Sequence, residues 1–178
     1  MDEPHAASEL TMDKRVDYLV AVASIVYADG RATTDELAVL GMLCSVLDLT
    51  PRGIDVVVAA AQKPDPARVA EIVAGLEGDR LKHALLVDAI LVAFADGRVA
   101  REETREIAEF ADAVGIGHAE AALIGRYVEE VIVEAEGHEL SKALALGLAE
   151  SHAQLQPPRG VKWLYRKLVS ARDDHLKK

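Results

Sequence analysis

The stretch VYADGRATTDE, residues 26–36, decides the reading of this chain, because AFADGRVAREE at 93–103 repeats its plan sixty-seven residues later. In each copy an apolar run ends at Ala-Asp-Gly-Arg and a glutamate follows seven positions after the aspartate. Asp-Gly is turn chemistry, and glycine readily takes the left-handed conformation that ends helices. Thr33 followed by Glu36 is the pattern of a capping box, so a new helix starts there. The second copy has Ala100 where the first has Thr33, and so lacks the capping hydroxyl. Between residues 19 and 36 the shift by 67 matches Leu19 with Leu86, Val20 with Val87, Ala28 with Ala95, Asp29 with Asp96, Gly30 with Gly97, Arg31 with Arg98 and Glu36 with Glu103. The unit is a helix, an Asp-Gly turn and an acidic-started helix. Two copies imply a duplicated helical hairpin, too few for a solenoid.

Helical spacing extends outward in both directions. Val16, Leu19, Val20, Ala23, Val26 and Tyr27 recur at steps of three and four, which predicts a first helix over 12–28. A second runs from the Thr33 cap to about residue 47. Thr50-Pro51 opens a third, with threonine as cap and proline at the first helical position. Asp65 caps a short helix to about 76, and Gly78-Asp79 leads into a long one to 95. Further helices are expected from 101 to 114, ending at Gly115, from 118 to 136, and from 140 to 153. Residues 156–160, Gln-Pro-Pro-Arg-Gly, are the clearest linker. After it Val161, Leu164, Tyr165, Leu168 and Val169 form one apolar stripe, with Lys162, Arg166 and Lys167 away from it. The expected fold is therefore all-α: an internally duplicated bundle of about seven helices plus a C-terminal helical extension. Residues 1–11 are expected to be flexible. Residues 12–136 form the domain, with repeats around 12–62 and 79–136, and 137–178 form the extension with its basic amphipathic last helix.

Composition agrees with a packed helical domain. Of 178 residues 51% are apolar and 28% charged, which excludes a disordered or fibrous chain. Aromatic residues are only 4%, so the core must be aliphatic. The single cysteine, Cys44, permits no intrachain disulfide and sits in an apolar stretch, where it reads as a small buried hydrophobe. The longest charge-free stretches, 18–28 and 37–47, have eleven residues each. A bilayer-spanning helix needs about 20. Residues 1–10 have no apolar core of a secretory signal, and a cytoplasmic protein is expected. Net charge is −10, but residues 157–178 carry +5 and the remainder −15. An acidic body disfavours nucleic acid and favours cations or basic protein surfaces.

The candidate site residues are the acidic pairs at the two turns, Asp29 with Glu36 and Asp96 with Glu103. Each aspartate closes one helix and each glutamate opens the next, so both can face one corner. With carbonyls freed by the turn, such a corner suits a hard divalent cation, Ca²⁺ or Mg²⁺ rather than Zn²⁺. The same residues are equally accounted for as a turn and a helix cap. One corner alone supplies too few of the roughly 6–8 oxygens Ca²⁺ takes, so water, carbonyls or the other corner must complete it. The EF-hand pattern fails, because Gly30 directly follows the aspartate and the twelfth position is Leu40. Asp88, the only charge between 84 and 95, must be paired, ligated or protonated if buried. It either joins the cation site, pairs with a group such as His83 or an arginine, or is simply exposed. The histidines, at 5, 83, 118, 138, 152 and 175, form no zinc-type spacing. No phosphate loop and no catalytic Ser/His/Asp or Cys/His constellation is recognisable, so neither an organic cofactor nor an enzyme is expected. Segment 161–176 can lie on an anionic membrane, dock on a protein partner or pack on its own domain.

These motifs, Val26-Tyr27-Ala28-Asp29-Gly30…Glu36 and Ala93-Phe94-Ala95-Asp96-Gly97…Glu103, resemble the TerB family of tellurite-resistance proteins, a domain also similar to a region of the DjlA co-chaperone. The resemblance covers about residues 14–127. It implies a non-enzymatic, duplicated all-α bundle that binds a divalent cation through Asp29, Glu36, Asp96 and Glu103, with Asp88 on the helix entering the second motif. It further implies a role in tellurite or chemical-stress response, and protein partners in complexes at the inner face of the membrane. Ala100 and the chain beyond 134 depart from the family pattern.

Overall fold

Nine consecutive residues, 18–26, are buried, and so are nine more, 85–93. A helix buried on every side has no face for water and must lie at the centre of a bundle. The computed structural model, which describes residues 4–97, 99–132 and 144, places both runs there. Helix α1 is Met12–Val26 and α5 is Asp79–Ala93, and they pack directly on each other. Around them lie α2 (Thr34–Val46), α3 (Pro51–Gln62), α4 (Pro66–Ala74), α6 (Arg101–Val114) and α7 (His118–Tyr127). The described residues thus form an all-α bundle of seven α-helices with no strand.

Local chemistry sets the boundaries. Thr33 caps α2, its Oγ1 accepting from Glu36 N at 3.2 Å. Thr50 does the same for α3 through Gly53 N at 3.2 Å, with Pro51 at the first helical position. Asp65 Oδ1 accepts from Ala67 N at 3.1 Å and Arg68 N at 3.3 Å to open α4. Gly115, at φ +76°, closes α6. Helix α3 lies along α1 at Gly53, where a Cβ would stand 2.9 Å from Val16 Cγ2, so the close approach depends on glycine. Helix α4 bridges α1 and α6. Cys44 is buried as expected, and burial raises its thiol to about 11, so it is an inert hydrophobe.

Several limits differ from the expected ones. Helices α1 and α5 stop two residues short of the predicted ends, because Tyr27–Gly30 and Phe94–Gly97 form the turns, with Gly30 N donating to Tyr27 O and Gly97 N to Phe94 O. After α7 the helix widens into a π-helical segment, Val128–Ile132, in which Glu129 is buried. The expected helices over 140–153 and 161–176, and the division at 137, lie outside the described residues save for Leu144, which is helical and buried.

The largest difference is at the N-terminus, where a flexible segment is expected. Residues 4–10 instead pack on the bundle through a 3₁₀ turn, Ala6–Glu9, with His5 and Ala7 buried. Two arginines tie its carbonyls down. Arg15 donates to Ser8 O at 2.6 Å and Leu10 O at 2.9 Å, and Arg80 donates to Pro4 O at 2.6 Å. Among the described residues no helix is long and apolar enough to cross a membrane.

Candidate functional site

Both Asp-Gly turns carry a left-handed glycine, Gly30 at φ +82° and Gly97 at +85°. In the first, Asp29 Oδ1 accepts from Arg31 N at 2.8 Å, an aspartate folding the turn onto itself. Each turn then delivers a buried glutamate at the third position of the following helix. Glu36 and Glu103 are only 3% and 2% exposed, unusual for ionisable side chains and therefore in need of partners. Each reaches back to its own cap residue. Glu36 Oε2 accepts from Thr33 N at 2.7 Å and from Thr33 Oγ1 at 2.8 Å. Glu103 Oε2 accepts from Ala100 N at 2.6 Å and has no hydroxyl to add.

The two glutamates also meet each other. Burial pushes the Glu103 carboxyl up to about 8; the Ala100 N–H opposes this, while a hydrogen bond to Glu36 and the charges of Glu36 and Asp29 add to it. Two neighbouring carboxyl groups cannot comfortably hold two negative charges, and Glu103 keeps its proton at neutral pH. The corners from residues 29–36 and 96–103 therefore converge on Glu36 and Glu103, with Asp29 close enough to be felt. Asp96 engages in its own interactions at the second turn. Among the described residues no group of three or more His, Cys, Asp or Glu side chains is arranged to hold a metal ion. The pair offers a cation two carboxylates at most, with further oxygens to come from Asp29, turn carbonyls or water. That donor chemistry fits a hard cation and not zinc.

Asp88 is engaged elsewhere. It is fully buried in the middle of α5, where its Oδ2 accepts from Tyr18 Oη at 2.6 Å and from His5 Nε2 at 3.1 Å. The expected partner, His83 or an arginine, is not the one found: His83 pairs with Glu120 at 2.6 Å. Ala7 N donates to His5 Nδ1 at 3.1 Å, so in the neutral ring Nε2 carries the hydrogen that faces Asp88. Burial opposes charging of His5, but the Asp88 charge and hydrogen bond outweigh it and raise its pKa above the ordinary value, with Arg80 acting against them. Burial and then Asp88 push the Tyr18 phenol well above its usual range. Asp88 Oδ1 has no hydrogen-bond partner among the described residues. His5 and Tyr18 were invisible as site residues in the sequence. The lone charge in α5 announced that a partner must exist, but nothing local pointed to residue 5.

Comparison of the chain with models of protein families, with curated proteins and with solved structures yields no match.

Proposed function

We propose that this chain is a non-enzymatic binding module of TerB type whose duplicated hairpins present one divalent-cation site where Glu36 and Glu103 meet. The observation that carries this reading is the convergence of two buried glutamates, one from each Asp-Gly corner, with Glu103 held protonated at neutral pH. A divalent cation supplies the positive charge that the proton only partly supplies, and Ca²⁺ or Mg²⁺ is favoured by the all-oxygen donor set. Asp29 and Asp96 stand at the mouths of the two corners. Binding there would bear on the relative position of α2 and α6, the elements the two glutamates cap. In this reading the protein acts in the tellurite or chemical-stress setting that the resemblance implies, as a cytoplasmic component of complexes that reach the inner membrane face. The second reading is a protein or membrane-surface scaffold using segment 161–176. It draws on the opposite charge of the last twenty-two residues.

Calorimetric titration of Ca²⁺, Mg²⁺, Mn²⁺ and Zn²⁺ into the chelator-stripped full chain tests the choice. In buffers of different ionisation enthalpy at pH 7, the cation should displace close to one proton, because Glu103 titrates near 8. Glu36→Gln with Glu103→Gln should abolish both the binding and the proton release while leaving the helical signal intact. No saturable binding at millimolar cation leaves the corners as turns and transfers the function to the scaffold reading.

A further inference from the structure

A second concave feature lies away from the glutamate pair. A cavity of about 450 Å³ opens between the C-terminal end of α1, the start of α4 and the outer part of α6. Its walls are apolar, with Tyr27, Val69, Val73 and Phe110 the largest groups. The size falls within the roughly 300–1,000 Å³ range of small-molecule pockets, which pair apolar walls with a few placed polar groups. Here the polar groups are Ser24 and Glu106. Ser24 is 2% exposed, and its Oγ stands 2.8 Å from Ala21 O and 2.6 Å from Glu106 Oε1. A hydroxyl has one hydrogen and cannot fully serve both oxygens. The half-buried Glu106 carboxyl therefore shares the Ser24 hydrogen with Ala21 O. Burial raises its pKa, the Ser24 hydrogen bond lowers it, Glu109 raises it and Arg105 lowers it. Among the described residues no lysine, arginine or histidine lines the cavity, and Arg105 is turned to Glu109 at 3.6 Å. Tyr27 is 40% exposed, one of two large hydrophobic side chains left in water among the described residues. The groove therefore combines uncovered apolar surface with an excess of negative charge at one end.

We propose that this groove binds a small apolar ammonium compound, its hydrocarbon body between Tyr27, Val69 and Phe110 and its N–H donors on Glu106 and Ser24 Oγ. Charge complementarity selects the class. An ammonium group supplies both the donors and the positive charge that the Glu106–Ser24 end lacks. An alcohol of the same shape supplies a donor only, and a carboxylate meets repulsion from Glu106 and Glu109.

The test uses the full chain, isotope-labelled, with 2-phenylethylamine as probe and 2-phenylethanol and 3-phenylpropanoate as matched controls. Saturable amide shifts should cluster at Ser24, Tyr27, Val69 and Phe110 with the amine. The alcohol should bind at least roughly tenfold more weakly and the acid not at all. Glu106→Gln should erase the preference of amine over alcohol. Ala70→Leu, which narrows the groove from the exposed side of α4, should weaken both probes and keeps the test valid if the Gln variant fails to fold. Equal binding of amine and alcohol overturns the proposal, as does unchanged selectivity in Glu106→Gln or the absence of shifts at millimolar amine. Nuclear Overhauser contacts from Tyr27 or Phe110 to Leu164 or Leu168 would give the groove to the chain's own basic stripe and likewise overturn it.

Discussion

The hairpin α1–α2 and the hairpin α5–α6 use the same turn, yet among their differences two at the corner and in the central helix stand out. Position 33 is threonine in the first and position 100 is alanine in the second. Both residues hold nearly the same extended backbone, ψ 158° and 156°, so the loss of a hydroxyl is the whole difference at the cap. Glu36 accordingly has two donors and Glu103 one. The other difference is in the central helices, where Ala21 of α1 corresponds to Asp88 of α5. Both positions are fully buried. The central helix of the first hairpin thus buries no charge, and its corner is fully capped. The second carries a buried charge inside and an under-supplied glutamate at its corner. One turn geometry can therefore serve different electrostatic tasks, and the weaker cap is where the proton goes.

The comparison breaks most severely at Asp88. Asp88→Ala makes α5 resemble α1 but strands the Tyr18 hydroxyl and the His5 N–H without an acceptor. A loss of about 3–5 kcal/mol is expected in urea unfolding, the usual cost of removing one partner from a buried pair. Adding Tyr18→Phe should recover part of that loss, since the stranded phenol is then gone.

Glu103→Gln sharpens the contrast between the corners. The folded-state pKa of Glu103, about 8, is above the roughly 4.3 of a glutamate in an unfolded chain. The folded state therefore holds an extra proton between these values. Its stabilisation is fully present below the lower value and is lost as pH rises through about 8. Glu103→Gln should remove this slope, with a gain over the parent on the order of 2 kcal/mol at pH 9 and little at pH 5. Parallel melting curves for parent and variant from pH 5 to 9 would refute the raised pKa of Glu103.

How much of this was legible beforehand divides along the range of the interactions. The caps at Thr33, Thr50 and Asp65 and the stop at Gly115 depend on neighbours within four residues, and the sequence pattern contains all of them. The all-α class follows from apolar spacing in the same way. The helix ends at 26 and 93 were harder, because Tyr27 and Phe94 continue the apolar rhythm while already belonging to the turn. The meeting of Glu36 with Glu103 needs the packing of four helices, which no local pattern encodes. Ser24 with Glu106, and His5 with Asp88, are 82 and 83 residues apart. His5 was further hidden by an N-terminal segment whose polar composition reads as loose, although Arg15 and Arg80 secure it.

Smaller effects test what the two hairpins share. Gly30→Ala and Gly97→Ala should each cost about 1–2 kcal/mol, equally, because both glycines have positive φ and neither has an atom within 4 Å of a Cβ. Unequal losses would mean that the turns differ in more than their caps. Thr33→Ala should cost about 1 kcal/mol, and Ala100→Thr should add roughly 0.5–1 kcal/mol while drawing the two corners together in thermal midpoint.

The His5–Asp88 contact has a consequence for the order in which the molecule is made. Residue 5 leaves the ribosome well before its acceptor, which is on the fifth helix. Throughout synthesis of the first hairpin and the two helices after it, the imidazole has nowhere to dock. Closing so long a loop is entropically unfavourable until α1 and α5 have already packed. Docking of residues 4–10 is then a late step of assembly, a clasp fastened only when α5 is in place behind it.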